Sequence, residues 1–106
     1  MGKGLKFDGG KPRLAEMIQD FAVPLRELCK VWEFGALKYG KSNWKELDNG
    51  EERYTNAMLR HLLEEHPYDE ETNLLHAAHI AFNALARLHF IVEKQEKETT
   101  DVYRQL

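Results

Sequence analysis

The chain lacks most of the features that mark specialised protein classes. It holds one cysteine in 106 residues, and a lone thiol cannot close an internal disulfide, so a disulfide-framed fold is excluded. No run of about 18 apolar residues is present to span a membrane. Residues 1–20, MGKGLKFDGGKPRLAEMIQD, lack the apolar stretch of a secretory signal, so the expected location is the cytoplasm. Alternating runs of β-branched residues are missing, which argues against strands. There is no internal repeat. The 15 basic residues, against 18 acidic ones for a formal charge of −3, form no long run, so a general nucleic-acid surface is not expected.

What is present is 42% hydrophobic and 31% charged sequence, enough for one domain and too little for two. The expected organisation is a single all-α domain over residues 1–106. A monomer of this size buries a modest fraction of its surface, and such helical chains often finish their core by self-association, here as a homodimer or homotetramer.

Residues 1–12 hold four of the seven glycines and three lysines, a composition that predicts an extended basic arm. Lys6, Lys11 and Arg13 surround the Gly9–Gly10 pair, and flexible backbone amides beside cations can hold phosphate oxygens. The plainer reading is a solvated arm. A Walker A loop is excluded by the glycine spacing and by Pro12, which stands where Ser or Thr should follow the lysine. Leu14, Met17, Ile18 and Phe21 recur at helical spacing and predict a first helix from Pro12 to about Phe21. Pro24 suits the first turn of a second helix, which runs to Tyr39 and stops at Gly40. Its stripe of Leu25, Leu28, Cys29, Trp32, Ala36 and Tyr39 reads as core, with Cys29 an inert buried thiol.

The turn KYGKSNW, Lys38 to Trp44, carries two aromatic rings, two lysines and an amide. Rings of this kind stack on a base, and Lys or Asn holds phosphate or a base edge. Alternatively, Trp44 simply pins the loop to the core. A third helix is expected from about Asn49 to just before Pro67, aligning Tyr54, Met58, His61 and Glu65. His61 and Glu65, one turn apart, can bind a metal or set the charge of the imidazole.

The link HPYD reads as a tight connection into a fourth helix capped by Asp69, with Glu70 and Glu71 in its first turn. Stepped as a helix, DEETNLLHAAHIAFNALAR sets Leu74, Ala78, Ala81, Leu85, Leu88 and Val92 on a core side. Thr72, His76, His79, Asn83 and Arg87 share the other side, which is odd for a surface that would ordinarily carry Lys and Glu. Folding the hairpin about residues 67 and 68 levels Glu65 with Glu71, His61 with His76, and Met58 with His79. Facing helices of a bundle hold divalent metals through such carboxylates and imidazoles. Carboxylates alone suit Mg²⁺, whereas imidazole shifts the preference toward Mn²⁺, Fe, Co or Zn. A Cys-rich structural zinc site is excluded. Residues 97–106 are expected to fray, or to dock through Val102, Tyr103 and Leu106.

The ordered set FDGGKPRL, FGALKYGKSNW, RHL and DEETNLLHAAHIAFNAL resembles the phage and prophage family of small dATP/dGTP diphosphohydrolases, related to the MazG-like all-α nucleoside triphosphate pyrophosphohydrolases. The resemblance covers roughly residues 5 to 92. It implies a small four-helix bundle completed by homo-oligomerisation, and divalent-metal-dependent hydrolysis of dGTP or dATP to the monophosphate and pyrophosphate, in a bacterial host cytoplasm if phage-encoded. The GKPR pattern falls on Gly10 to Arg13, KYG and NW on Lys38 to Gly40 with Asn43 and Trp44, and RH on Arg60 and His61. The acidic and histidine pattern falls on Asp69, Glu71, His76, His79 and Asn83. Asn73 stands where the family is expected to have glycine, and Glu64–Glu65 replaces a more apolar pair. In the broader MazG-like pattern Glu-x-x-Glu and Glu-x-x-Asp hold magnesium, whereas here the second pair is His76 and His79.

On this footing His61, Glu65, Glu71, His76 and His79 form the expected metal set, with Glu71 and His76 catalytic and Mg²⁺ or Mn²⁺ the cation. Lys11, Arg13, Lys38 and Arg60 are expected on the phosphates. Tyr39 or Trp44 would stack on the purine, while Asn43 or Asn83 reads its edge. The competing reading is a non-enzymatic helical module that binds nucleotide or nucleic acid, with structural histidines.

Overall fold

The computed structural model describes residues 4–5 and 9–105; the rest of the basic arm, including Lys6, and Leu106 lie outside the described residues. These residues form helices α1 (Leu14–Asp20), α2 (Ala22–Tyr39), α3 (Gly50–Leu62) and α4 (His76–Gln105), with a 3₁₀ turn at Asn43–Glu46. The fold is all-α, and no strand is present among the described residues. No helix among them is long and apolar enough to cross a membrane.

Helices α1 and α2 meet at Phe21, whose N–H donates to the Met17 carbonyl at 3.0 Å and whose carbonyl accepts from Leu25 N–H at 3.0 Å. Pro24 occupies the first turn of α2, as its missing N–H allows. The helix ends at Gly40, whose φ of 101° lies where a side chain would be strained. At the start of α3, Gly50 is buried against Phe90 of α4 so closely that a Cβ there would overlap the Phe90 ring.

Helix α3 packs lengthwise on α4 and forms the main contact of the molecule, with α2 laid against α4 as a second layer. The orientation of α4 reverses the expected one. His76, His79 and Asn83 are buried, alongside Ala78 and Ala86, while Leu85, Leu88 and Val92 are exposed. The small Ala86 shares the side of His79 and Asn83, and the buried polar groups are hydrogen-bonded, which removes most of the cost of burial. The apolar stripe points away from α3.

The connection between α3 and α4 also differs from the expected four-residue link. Helix α3 ends at Leu62, short of Pro67; Leu63, the next residue, is 81% exposed and gains no burial by continuing the helix. Asp69 does cap a turn, but only one. Its carbonyl accepts from Asn73 N–H at 2.8 Å, and Asn73 then adopts a left-handed φ of 57° that ends the turn. His76 N–H reaches the Pro67 carbonyl at 2.9 Å, and α4 begins there. At its other end α4 continues to Gln105, beyond the expected fraying near residue 97.

Among the described residues few apolar side chains are buried: Val31, Ala78 and Ala86. Cys29, expected in the core, is exposed. The radius of gyration is 18.0 Å, against about 13 Å for a compact chain of about 100 residues.

Candidate functional site

The turn at residues 69–75 hangs over the end of α3 and places its carboxylate among three imidazoles. His61 Nδ1 lies 2.8 Å from His76 Nδ1, a separation that requires one ring to donate and the other to accept. The His61 and His79 rings stack, 4.4 Å between centroids and 5° from parallel. Asp69 Oδ2 accepts from the Thr72 N–H at 2.8 Å and from the Thr72 hydroxyl at 3.0 Å. Thr72 Oγ1 is also 2.7 Å from His79 Nε2.

Burial lowers the pKa of His61 and of His79, and the neighbouring imidazoles push the same way, against the pull of Asp69. Burial alone would raise the Asp69 carboxyl, but the two Thr72 hydrogen bonds and the nearby imidazoles outweigh it and leave the pKa lowered. The cluster therefore rests with neutral His61 and His79 rings beside an ionised carboxylate. His61, Asp69 and His76 offer donor atoms within 4.8 Å of one another and form a group able to hold a metal ion. Two imidazoles and one carboxylate suit a borderline divalent cation, so the donor set fits the expected cofactor class.

Of the five expected ligands, then, His61, His76 and His79 come together and the two glutamates do not. Glu65 follows the end of α3 and is exposed. Glu71 turns outward to an exposed salt bridge with Lys38, which joins the end of α2 to the turn at residues 69–75. That bond raises the Lys38 pKa, aided by the neighbouring Tyr39 hydroxyl.

The second feature is a cavity of about 390 Å³ lined by Tyr39, Asn43, Trp44, Arg53, Tyr54 and Phe82, among others. Tyr54 Oη donates to the Trp44 carbonyl at 3.0 Å, and the Trp44 ring meets Phe82, His89 and Phe90 edge-on. Trp44 thus pins its loop to α4 and also forms a wall of the cavity. Asn83 does not line it: the side chain is buried and donates Nδ2 to the His79 carbonyl at 2.8 Å. Among the expected phosphate ligands, Arg60 lies exposed next to His61, and Lys11 and Arg13 are exposed ahead of α1, with Arg13 paired to Glu16 at 3.1 Å.

By spacing alone Asp69 reads as a helix cap, and Thr72, Arg53 and Phe82 carry no assigned role, whereas the structure sets Asp69 and Thr72 in the cluster and Arg53 and Phe82 on the cavity wall. A signal for Asp69 was present. The glycine expected where this chain has Asn73 marks a left-handed residue, and hence a turn that ends before the histidines begin.

The sequence matches the family described as dATP/dGTP diphosphohydrolase, N-terminal, over residues 1–101. The chain belongs to that family. A dATP/dGTP diphosphohydrolase of Salmonella phage PMBT28 is 41% identical over 81 residues, covering 74% of this chain and 26% of the relative. This member of the family therefore spans about a quarter of the length of the curated relative it matches. No solved structure matches the chain.

Proposed function

We propose that the chain carries the nucleotide and metal site of a hydrolase that converts dGTP or dATP to the monophosphate and pyrophosphate. The observation that supports this best is adjacency along α4. His79 belongs to the imidazole cluster and Phe82, three residues on, lines the aromatic cavity, which sets the two features about one helical turn apart. A purine held between Tyr39 and Trp44 would have its phosphates directed toward the cluster. The relative's printed name supplies the substrate class.

In this reading His61, Asp69 and His76 hold a divalent cation, which would supply Lewis-acid charge beside the phosphates. The imidazole donors favour Mn²⁺ over Mg²⁺. Lys38 and Arg60, on the elements that flank the cluster, bind phosphate oxygens, and Lys38 exchanges its Glu71 partner for the substrate. Asn43 reads the base edge from the cavity wall. Hydrolysis adds the oxygen of water to the α-phosphorus and breaks its bond to the oxygen of the pyrophosphate leaving group. The proton lost by water passes to a neutral imidazole of the cluster. The extended shape and the exposed apolar sides of α1 and α4 accord with self-association, which sedimentation would measure directly.

A panel of the eight common NTPs and dNTPs with Mg²⁺ and with Mn²⁺ tests the reading. Pyrophosphate release from a deoxypurine triphosphate is expected, and its loss in Asp69→Asn and His76→Ala variants that remain folded. Binding without release under either metal would replace the enzyme with a nucleotide-binding module.

A further inference from the structure

We infer that Thr72 is a positioning residue that locks Asp69 and His79 together and through them steadies the ligands Asp69 and His61. The inference rests on the metal-site reading above. Its basis is the hydrogen count around one hydroxyl, which has one proton to give and two lone pairs to fill.

Three groups meet Thr72 Oγ1: Asp69 Oδ2 at 3.0 Å, Leu74 N–H at 3.2 Å and His79 Nε2 at 2.7 Å. A carboxylate only accepts, so the hydroxyl proton goes to Asp69. A backbone N–H only donates, so Leu74 fills one lone pair. The remaining lone pair must receive a proton from His79, which places that proton on Nε2 and leaves Nδ1 bare. His79 is thereby committed at Nε2 to Thr72.

His76 and His79, as His-x-x-His on one helix, look like a ligand pair, yet the group whose donor atoms converge is His61, Asp69 and His76. His79 is stacked on the His61 ring instead. Thr72 holds it there through the same oxygen that orients Asp69, and its backbone N–H adds a second bond to Asp69 Oδ2 at 2.8 Å. The hydroxyl therefore aligns one ligand directly and a second, His61, through the ring stacked on it. Loss of such supporting bonds weakens metal binding by about 10- to 100-fold.

The test compares Thr72→Val, which keeps the shape and removes the hydroxyl, with Thr72→Ser, which restores it. Two readouts are taken on the full chain: the His79 tautomer, by long-range ¹H–¹⁵N NMR without metal, and Mn²⁺ affinity by calorimetric titration. The wild type and Thr72→Ser should show the Nε2–H tautomer and similar affinities. In Thr72→Val the tautomer preference should be lost and Mn²⁺ binding should weaken by about 10- to 100-fold. An Nδ1–H tautomer in the wild type, or unchanged Mn²⁺ affinity in Thr72→Val, overturns the inference. If Thr72→Val does not fold, Thr72→Ala takes its place in the affinity comparison, and the wild-type tautomer decides the His79 contact in either case. A folded wild type that takes up no Mn²⁺ overturns the metal reading, while the tautomer alone decides whether Thr72 holds His79.

Discussion

His61 and His79 lie face to face across the α3–α4 contact, 4.4 Å between ring centroids, and protonating both would set two positive charges at that separation between a half-buried and a buried ring. Both pKa values are lowered from 6.5 in the folded chain. Below that value the unfolded chain binds more protons than the folded one, so stability falls as pH falls. The contribution is complete above pH 6.5 and is lost as pH drops through the lowered values. Urea midpoints should therefore decrease from about pH 7.5 to about pH 5.5, with a smaller decrease in His79→Asn. A flat profile in the wild type would contradict the burial argument. Asp69, with its pKa lowered from 3.8, adds a further loss in more acid solution.

Asp69, and not Glu65, stands with His61 and His76 in the structure, and metal titration tests the proposed ligand set. Asp69→Asn should weaken Mn²⁺ binding by about tenfold or more, since a direct ligand matters at least as much as its supporting bonds. Glu65→Gln, at an exposed position after α3, should bind as the wild type does. The reverse result would return the glutamate to the ligand set.

Tyr39 and Trp44 share the cavity but differ in their attachment to the core. Tyr39 is 61% exposed, so Tyr39→Ala should leave stability nearly unchanged. It should weaken purine nucleotide binding by about 1–3 kcal/mol, the worth of one aromatic stacking contact. Trp44→Ala removes three aromatic contacts as well and should cost about 3 kcal/mol of stability. Equal stability losses in the two variants would show that Trp44 does not pin the loop.

Gly50 and Phe90 set the distance between α3 and α4. In an ordinary helix Gly→Ala gains about 0.5–1 kcal/mol. Here the added Cβ meets the Phe90 ring, and overpacking of this kind costs about 1–3 kcal/mol. Gly50→Ala should lower the denaturation midpoint, and a second change, Phe90→Leu, should recover part of the loss. A stabilised Gly50→Ala would show that the ring moves aside freely.

The helices were legible because their signals are local. Pro24 and Gly40 mark the ends of α2, and the 3.6-residue spacing marks α1, α3 and α4. The His61–His76 meeting was legible too, because the hairpin register follows from where the chain turns. Three features were not. Which side of α4 faces α3 depends on how closely Ala86 and Gly50 let the backbones approach, and periodicity reports two sides without ranking them. Asp69 and Thr72 carry an N-cap pattern, yet the turn that they cap ends at Asn73, a choice made by a single left-handed residue. Glu71 lies level with the cluster in chain register and still turns outward, because Lys38 reaches it from a helix distant in sequence.

The absence of any buried residue in α1 has a consequence for order within the molecule. Segments with little buried surface open locally at low free-energy cost, so the amide protons of α1 should exchange with solvent far sooner than those along the α3–α4 contact. Lys11 and Arg13 lie just ahead of that loosely held helix. An anion captured by them would have to immobilise a segment that the free chain leaves free to open, and part of its binding energy would be spent as lost motion of α1.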